Sequence, residues 1–326
     1  LHEFLQEMNA RTFAHHHGSF TVGEASNASP ESALLFCAPE RGEFNMLIQF
    51  EHMNLGLENG KFSPRPLADG ELAEVFTRWQ NTLGDRGWNA LYLENHDQPR
   101  SVSRFGDPGS YWRESATALA TAYFLQRGTP FIYQGQEIGM LGGSLLKRCD
   151  FRDVESLNFL AGLEGDEVPV GLAAMSRDNG RTPMQWDDSP TAGFTSSEPW
   201  IDIPPSAAAI NVAAQIQDPG SILSYYKALI DARHRVPALT EGSFERIDVG
   251  SPALFVYRRR TAGSEVLVMV NLSGSVQTPH FPAPDEAWAP SLWNLYLGNT
   301  DVPLTVDSLR SQDGADLDVR PHDSMK

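Results

Sequence analysis

The sequence predicts an α/β fold: βα units on a parallel sheet, followed by a small antiparallel β domain. Three observations predict it. Over the first 135 residues, short apolar runs alternate with stretches of helical periodicity. Those runs are mostly apolar throughout, the pattern of strands buried on both faces. From about residue 240 the rhythm changes to short strands separated by turn residues, as in an antiparallel sandwich.

The elements follow in order. Leu1, Phe4, Leu5 and Met8 fall at i, i+3, i+4 and i+7, one face of an amphipathic helix. No cap residue precedes them, so further sequence upstream of Leu1 is expected. Residues 19–25 (SFTVGEA) and 44–50 (FNMLIQF) read as strands. Residues 69–86 read as a helix with Leu72, Val75, Phe76, Trp79 and Leu83 on one face, ended by glycines at 84 and 87. Residues 88–94 (WNALYLE) form a third strand, 110–127 a helix with Trp112, Leu119, Tyr123 and Phe124 on its apolar side, and 129–133 (TPFIY) a fourth strand. Residues 138 to about 217 break the rhythm; they are rich in Gly, Pro, Asp and Ser, and an insert of that length is expected to be functional. Asp218-Pro219-Gly220 opens a further helix, with Asp as N-cap and Pro in the first turn. Its stripe is Ile222, Tyr226, Leu229 and Ile230, and it stops before Pro237. Strands are expected at 243–249, 253–259, 265–271, 293–297 and 317–320. The expected domains are therefore 1–239, carrying the insert, and 240–326.

Composition narrows the function. The 326 residues are 41% apolar and 21% charged, a globular balance. With 25 Lys and Arg against 42 Asp and Glu, the net charge is −17. Such a chain repels nucleic-acid phosphates and anionic membrane surfaces, so neither is expected as a partner. Two cysteines, Cys37 and Cys149, form no disulfide framework and no CxxC metal pair. No apolar run reaches the roughly 18–20 residues of a membrane span.

Polar residues gather just after the strands, where parallel α/β folds keep their chemistry. Glu24 ends the first strand; against apolar neighbours its carboxyl would stay protonated and act as a general acid, although one such residue could equally be a structural ion pair. Asn95-His96-Asp97-Gln98-Pro99-Arg100 crowds charge at the end of the third strand, costly in a core and plausible in a site. A Glu and an Asp at the ends of βα units suggest the paired carboxylates of glycoside hydrolysis. Metal binding is the rival, but His15-His16-His17 cannot face one point on a regular element. Cys37 reads as packing, and Gly139-Met140-Leu141-Gly142-Gly143 lacks the Lys-Ser/Thr ending of a phosphate loop. The stretch from Arg177 to Asp187 mixes charge and aromatics in a loop that could ring a pocket mouth.

Four segments occur in one order: Thr21-Val22-Gly23-Glu24, Asn95-His96-Asp97-Gln98-Pro99-Arg100, Gln134-Gly135-Gln136-Glu137-Ile138-Gly139-Met140, and the Arg177 to Asp187 stretch. Together they resemble the α-amylase superfamily of glycoside hydrolases, family 13, and its α-glucosidase and oligo-1,6-glucosidase branch; Phe50-Glu51-His52-Met53 supports the branch. The resemblance implies a (β/α)8 barrel, of which this chain holds strands five to eight, followed by an antiparallel β-sandwich. It implies Glu24 as general acid/base, Asp97 as the carboxylate steadying the oxocarbenium-like transition state, His96 as a sugar ligand, and Arg177 as the residue binding the non-reducing glucose. The substrate would be an α-glucoside, cleaved with retention. No cofactor is implied, and a family calcium site would lie outside this chain. The nucleophile of the family is an Asp in an Asp-Gly-Phe-Arg-like motif, which does not occur here, so the chain alone is expected to be inactive. Gln136 stands where the family commonly has an acid. Few cysteines and the habit of similar enzymes point to the cytoplasm.

Overall fold

The computed structural model describes residues 1–281 and 324–325. Four short strands form a parallel wall. β1 (Val22–Ala25) pairs with β2 (Met46–Gln49), and β3 (Ala90–Leu91) with β4 (Thr129–Pro130). A parallel bridge from Leu47 to Asn89 joins the two pairs. Neighbours in the wall are thus neighbours in sequence, each linked through a helix, as in a barrel and unlike a doubly wound sheet. Because all four strands run the same way, the ends of β1 and β3 open on one side.

The linking helices follow from their sequences. α2 (Pro30–Cys37) is capped by the Ser29 side chain, which accepts from the Ser32 N–H, and Pro30 needs no donor in the first turn. α3 (Glu71–Leu83) buries the predicted Leu72, Val75, Phe76, Trp79 and Leu83. Val75, Trp79 and Leu83 pack with Ala33, Cys37 and Leu47, which gives Cys37 the packing role expected of it. After β3 come the single-turn α4 (Ser101–Phe105) and α5 (Trp112–Phe124).

α5 departs from the amphipathic expectation: every residue from 115 to 124 is buried. It is sandwiched between α9 (Ile222–Arg235) and an antiparallel sheet of β5 (Ser243–Arg246), β6 (Leu254–Arg260), β7 (Glu265–Asn271) and β8 (Ser324–Met325). Ala116, Ala118, Ala120 and Ala122 let these layers approach, while Leu119, Phe124, Tyr226, Phe255, Tyr257, Val268 and Val270 share one core. The other face of the sheet buries Ile247, Val249, Leu254, Val256, Leu267 and Met269. The strands predicted at 293–297 and 317–320 lie outside the described residues.

Three local expectations change. In α1 (His2–Arg11) only Leu5 is buried; Met8 is half-buried, and Leu1 and Phe4 are exposed, so the apolar stripe is covered in part. α9 starts later than its Asp-Pro-Gly signal: Ser221 caps it by accepting from the Ser224 N–H, whereas the Asp218 carboxylate accepts from Gly220 N–H in a preceding turn. Its buried side is Ile222, Tyr225, Tyr226, Leu229, Ala232 and Arg233, leaving Ile230 outside. The insert carries α6 (Val154–Ala161), α7 (Val170–Met175) and α8 (Val212–Gln215), short pieces joined by turns, before α9 and the single-turn α10 (Pro237–Thr240). No helix among the described residues is long and apolar enough to cross a membrane.

Candidate active site

The turn after β3 holds Asp97 at the centre of a charged cluster. Its main-chain N–H donates to the Asn95 side-chain oxygen at 2.8 Å, which fixes the turn. Arg181 Nη2 lies 2.6 Å from Asp97 Oδ1, Arg177 Nη1 3.5 Å from the same oxygen, and His96 Nε2 3.3 Å from Oδ2. Arg181 also donates from Nε to the His96 carbonyl at 2.8 Å. The carboxylate is therefore gripped from one side and one-third exposed on the other.

Both arginines come from the insert, and buried polar groups hold them. Arg177 donates to Asp153, whose oxygen is 2.5 Å from Nη2. Burial pushes the Asp153 carboxyl up, but the bonds from Arg177 and Ser156 outweigh it and keep it below the ordinary range. The Asp153 bond in turn raises the Arg177 guanidinium above its ordinary value. Buried Asp178 accepts from the main-chain N–H groups of Arg152 and Asp153, at 2.8 and 3.0 Å, and so sets the position of Asp153. Tyr133, just after β4, donates to the Gly180 carbonyl at 2.8 Å. A Cβ at Gly180 would stand 2.6 Å from the Gln98 carbonyl and 2.8 Å from that of Asn95, so only glycine lets the insert lie on the Asp97 turn.

Glu24 sits at the same open end, on β1. The apolar surroundings expected around it are not there: its side chain is exposed. Gly23 beside it is required by packing, since a Cβ would meet the Phe44 ring at 2.5 Å. Tyr92 stands near enough for the Glu24 charge to add to burial in raising its phenol. Behind Tyr92, buried His52 accepts at Nδ1 from Gln49 Nε2 (2.8 Å) and donates from Nε2 to the Tyr92 carbonyl (2.9 Å). Burial pushes His52 down to about 3, and the Arg104 charge adds to that.

His52 yields a stability prediction. Between its ordinary value of 6.5 and about 3, the unfolded chain binds a proton that the folded chain refuses. Stability should therefore fall as pH drops through this window, by about 3 kcal/mol for two units. His52→Gln should remove that slope, read as the difference between the two proteins in urea melts across the range; parallel pH curves would refute it.

Of the predicted site residues, the structure brings together Asp97, His96 and Arg177, and places Glu24 on the same rim without a direct bond to them among the described residues. Arg181 and Asp153 escaped sequence reasoning. Arg181 is four residues after Arg177, a spacing visible in the sequence; Asp153 carried no signal there, and in the structure it also caps α6, accepting from the Ser156 N–H. His15, His16 and His17 lie exposed at a short turn, and no group of three or more His, Cys, Asp or Glu among the described residues is arranged to hold a metal.

Comparison with known proteins agrees with this geometry. The chain matches the alpha-amylase catalytic domain over residues 1–242. It is 44% identical over 292 residues to an oligo-1,6-glucosidase from Parageobacillus thermoglucosidasius, covering 87% of this chain and 51% of that protein. It is 37% identical over 332 residues to a trehalose-6-phosphate hydrolase from Bacillus subtilis, covering 100% of this chain and 57% of the relative. A trehalulose synthase structure from Pseudomonas mesoacidophila MX-45 superposes with a TM-score of 0.87 at 35% identity, over 99% of this chain and 58% of that one. The chain spans about half the length of the curated relatives it matches. A parallel wall with charged turns at one end, an antiparallel sheet behind it and a catalytic-domain match over most of the sequence lead to one assignment: the chain belongs to the alpha-amylase family.

Proposed function

We propose that this chain supplies the acid/base and transition-state-stabilising side of an exo-acting retaining α-glucosidase, which removes terminal α-linked glucose from isomaltose- and maltose-type oligosaccharides. The observation that carries the reading is Asp97, held by Arg181, Arg177 and His96 on the same rim as Glu24. Glu24, exposed at the end of β1, gives a proton to the departing oxygen and later takes one from water. Asp97, fixed in place and open on one side, offers negative charge where the sugar ring becomes positive. His96 is the most exposed member of the cluster and donates to a sugar hydroxyl, while Arg177 closes the end of the pocket on the terminal glucose.

A retaining mechanism also needs a nucleophile about 5–5.5 Å from the acid. The Asp-Gly-Phe-Arg-like motif that would carry it is absent from this sequence. Four parallel strands are half of an eight-stranded barrel, so we place the nucleophile on strands that this chain does not contain. The full-length protein is expected to release glucose from isomaltose and maltose; the 326-residue chain alone is expected to release none. Glucose release by the chain alone would overturn the assignment of the nucleophile. No release by the full-length protein from either disaccharide would overturn the reading itself.

The similarity to a trehalose-6-phosphate hydrolase and a trehalulose synthase supports a second reading within the same branch. Trehalose 6-phosphate and sucrose, offered beside the two disaccharides, separate these activities by their products. A non-catalytic partner protein is disfavoured because such a role needs none of the Asp97 cluster.

A further inference from the structure

We infer that Glu94 and Arg100 are positioning residues for the Asp97 turn, and that Glu94 shares Arg100 with Glu137, so that the hold on the turn changes with one proton. Glu94 is the last residue of the WNALYLE run and is 3% exposed. Its carboxylate accepts from Ser101 N–H at 3.3 Å and from Ser101 Oγ–H at 3.2 Å. These bonds tie the two ends of the segment from which His96 and Asp97 project.

Arg100 is wholly buried, with Nη1 3.7 Å from Glu94 Oε2 and donating to the Gln134 carbonyl at 2.6 Å. Its guanidinium lies over the Tyr133 ring, 5.1 Å from the centroid, and Tyr133 is bonded to Gly180 in the turn that carries Arg177 and Arg181. Arg100 thus braces both walls of the Asp97 cluster while touching none of its members. Arg100 Nε and Nη2, and Glu137 Oε2, have no hydrogen-bond partner among the described residues.

The groups facing Glu94 are Arg100 and Ser101 at the start of α4, Glu137 in the turn after β4, Tyr123 of α5 and Tyr226 of α9. Arg100 is the ion-pair partner of Glu94, at 3.7 Å, and Glu137 lies near enough for its charge to act on both. Burial pushes Glu94 up to about 7, with the Glu137 charge adding to it and with Arg100 and Ser101 opposing. Burial raises Glu137 as well. Ionised, Glu94 holds Arg100 by charge; protonated, it leaves the guanidinium to Glu137 and keeps the turn only through neutral bonds.

The kinetic readout rests on the glucosidase reading; the titration does not. In the full-length protein, carboxyl carbon NMR with the Glu94 signal assigned by through-bond correlation to its own backbone is expected to give a midpoint near neutral pH. Glu137→Gln removes the like charge and should move that midpoint down. In parallel, kcat should fall about tenfold as pH drops through the midpoint, with KM changing less, as expected for a small displacement of a reacting group. Glu94→Gln should be flat over this range at the low-pH level. A purely packing role would lower stability but leave no inflection to remove. An unchanged inflection in Glu94→Gln overturns the inference, as does a Glu94 midpoint that Glu137→Gln does not move. Should the unaltered full-length protein release no glucose, the glucosidase reading fails and the two midpoints alone decide; they also decide if Glu94→Gln does not fold.

Discussion

Glu24→Gln in the full-length protein is expected to lower kcat on isomaltose by roughly a thousandfold, with KM within a few-fold, because positioned proton transfer contributes on that order. The amide has the shape of the acid but cannot deliver a proton. It should not disturb folding: Glu24 is exposed, and its backbone pairing with Ile48 in the parallel wall does not involve the side chain. The substrate supplies an internal control. A dinitrophenyl glucoside has a leaving group that departs without protonation, so the first half of the reaction should be nearly spared and the glycosyl-enzyme should accumulate. Equal losses on both substrates in kcat/KM or in the pre-steady-state burst rate, which report the first half alone, would remove Glu24 from the acid role.

Arg259→Met should cost about 3–5 kcal/mol of stability, the range for removing a buried charged partner from groups that cannot reach water. Arg259, on β6, is fully buried and has no carboxylate beside it among the described residues. Instead it donates to four main-chain carbonyls: Leu125 at 2.7 Å, Leu239 at 3.0 Å, Gly242 at 2.9 Å and Ser243 at 3.1 Å. These oxygens end α5, close α10 and begin β5, so one guanidinium satisfies three chain reversals at once. Burial pushes it down to about 9, which still leaves it charged at neutral pH. Methionine fills the volume and strands the carbonyls. Urea denaturation of the two proteins at neutral pH measures the difference, and a loss below about 1 kcal/mol would mean that the carbonyls find other donors.

The legible parts of the fold were those where one physical signal dominates. α3 buries the face its periodicity predicts, because that side meets α2 and the antiparallel sheet while the other meets water. β1 and β2 fall inside the predicted runs; β2 is mostly buried, as an apolar run should be, whereas β1 is exposed at Glu24 and was legible by its β-rich residues and polar end. α5 misled because its surroundings come from distant sequence: periodicity marks a stripe only when one side faces solvent, and here α9 and the antiparallel sheet cover it. β3 and β4 pair over two residues each, shorter than their apolar runs, because the chain leaves the wall early to build the Glu94 and Tyr133 turns. In the site, Asp97, His96 and Arg177 were legible as charge crowded into turns. Glu24 was legible as a position but not in its environment. Asp153 was not legible, since a helix cap and an arginine anchor look alike until a fold places them 24 residues apart in contact.

The core shared by α5, α9 and β6–β7 bears on how the molecule can be divided. The expected boundary near residue 240 is a change of pattern along the chain, but not a seam in energy. Leu119, Tyr226, Phe255 and Val268 lose water together, and Arg233 and Arg259 both satisfy carbonyls at the end of α5. Cooperative units follow buried contacts rather than sequence order. The antiparallel sheet therefore acts as a back wall to the part that carries the Asp97 turn. Cutting it away would uncover the helix that spans from the Asp97 turn to the Tyr133 turn, so a design that exchanges or deletes this sheet redesigns the support of the Asp97 cluster as well.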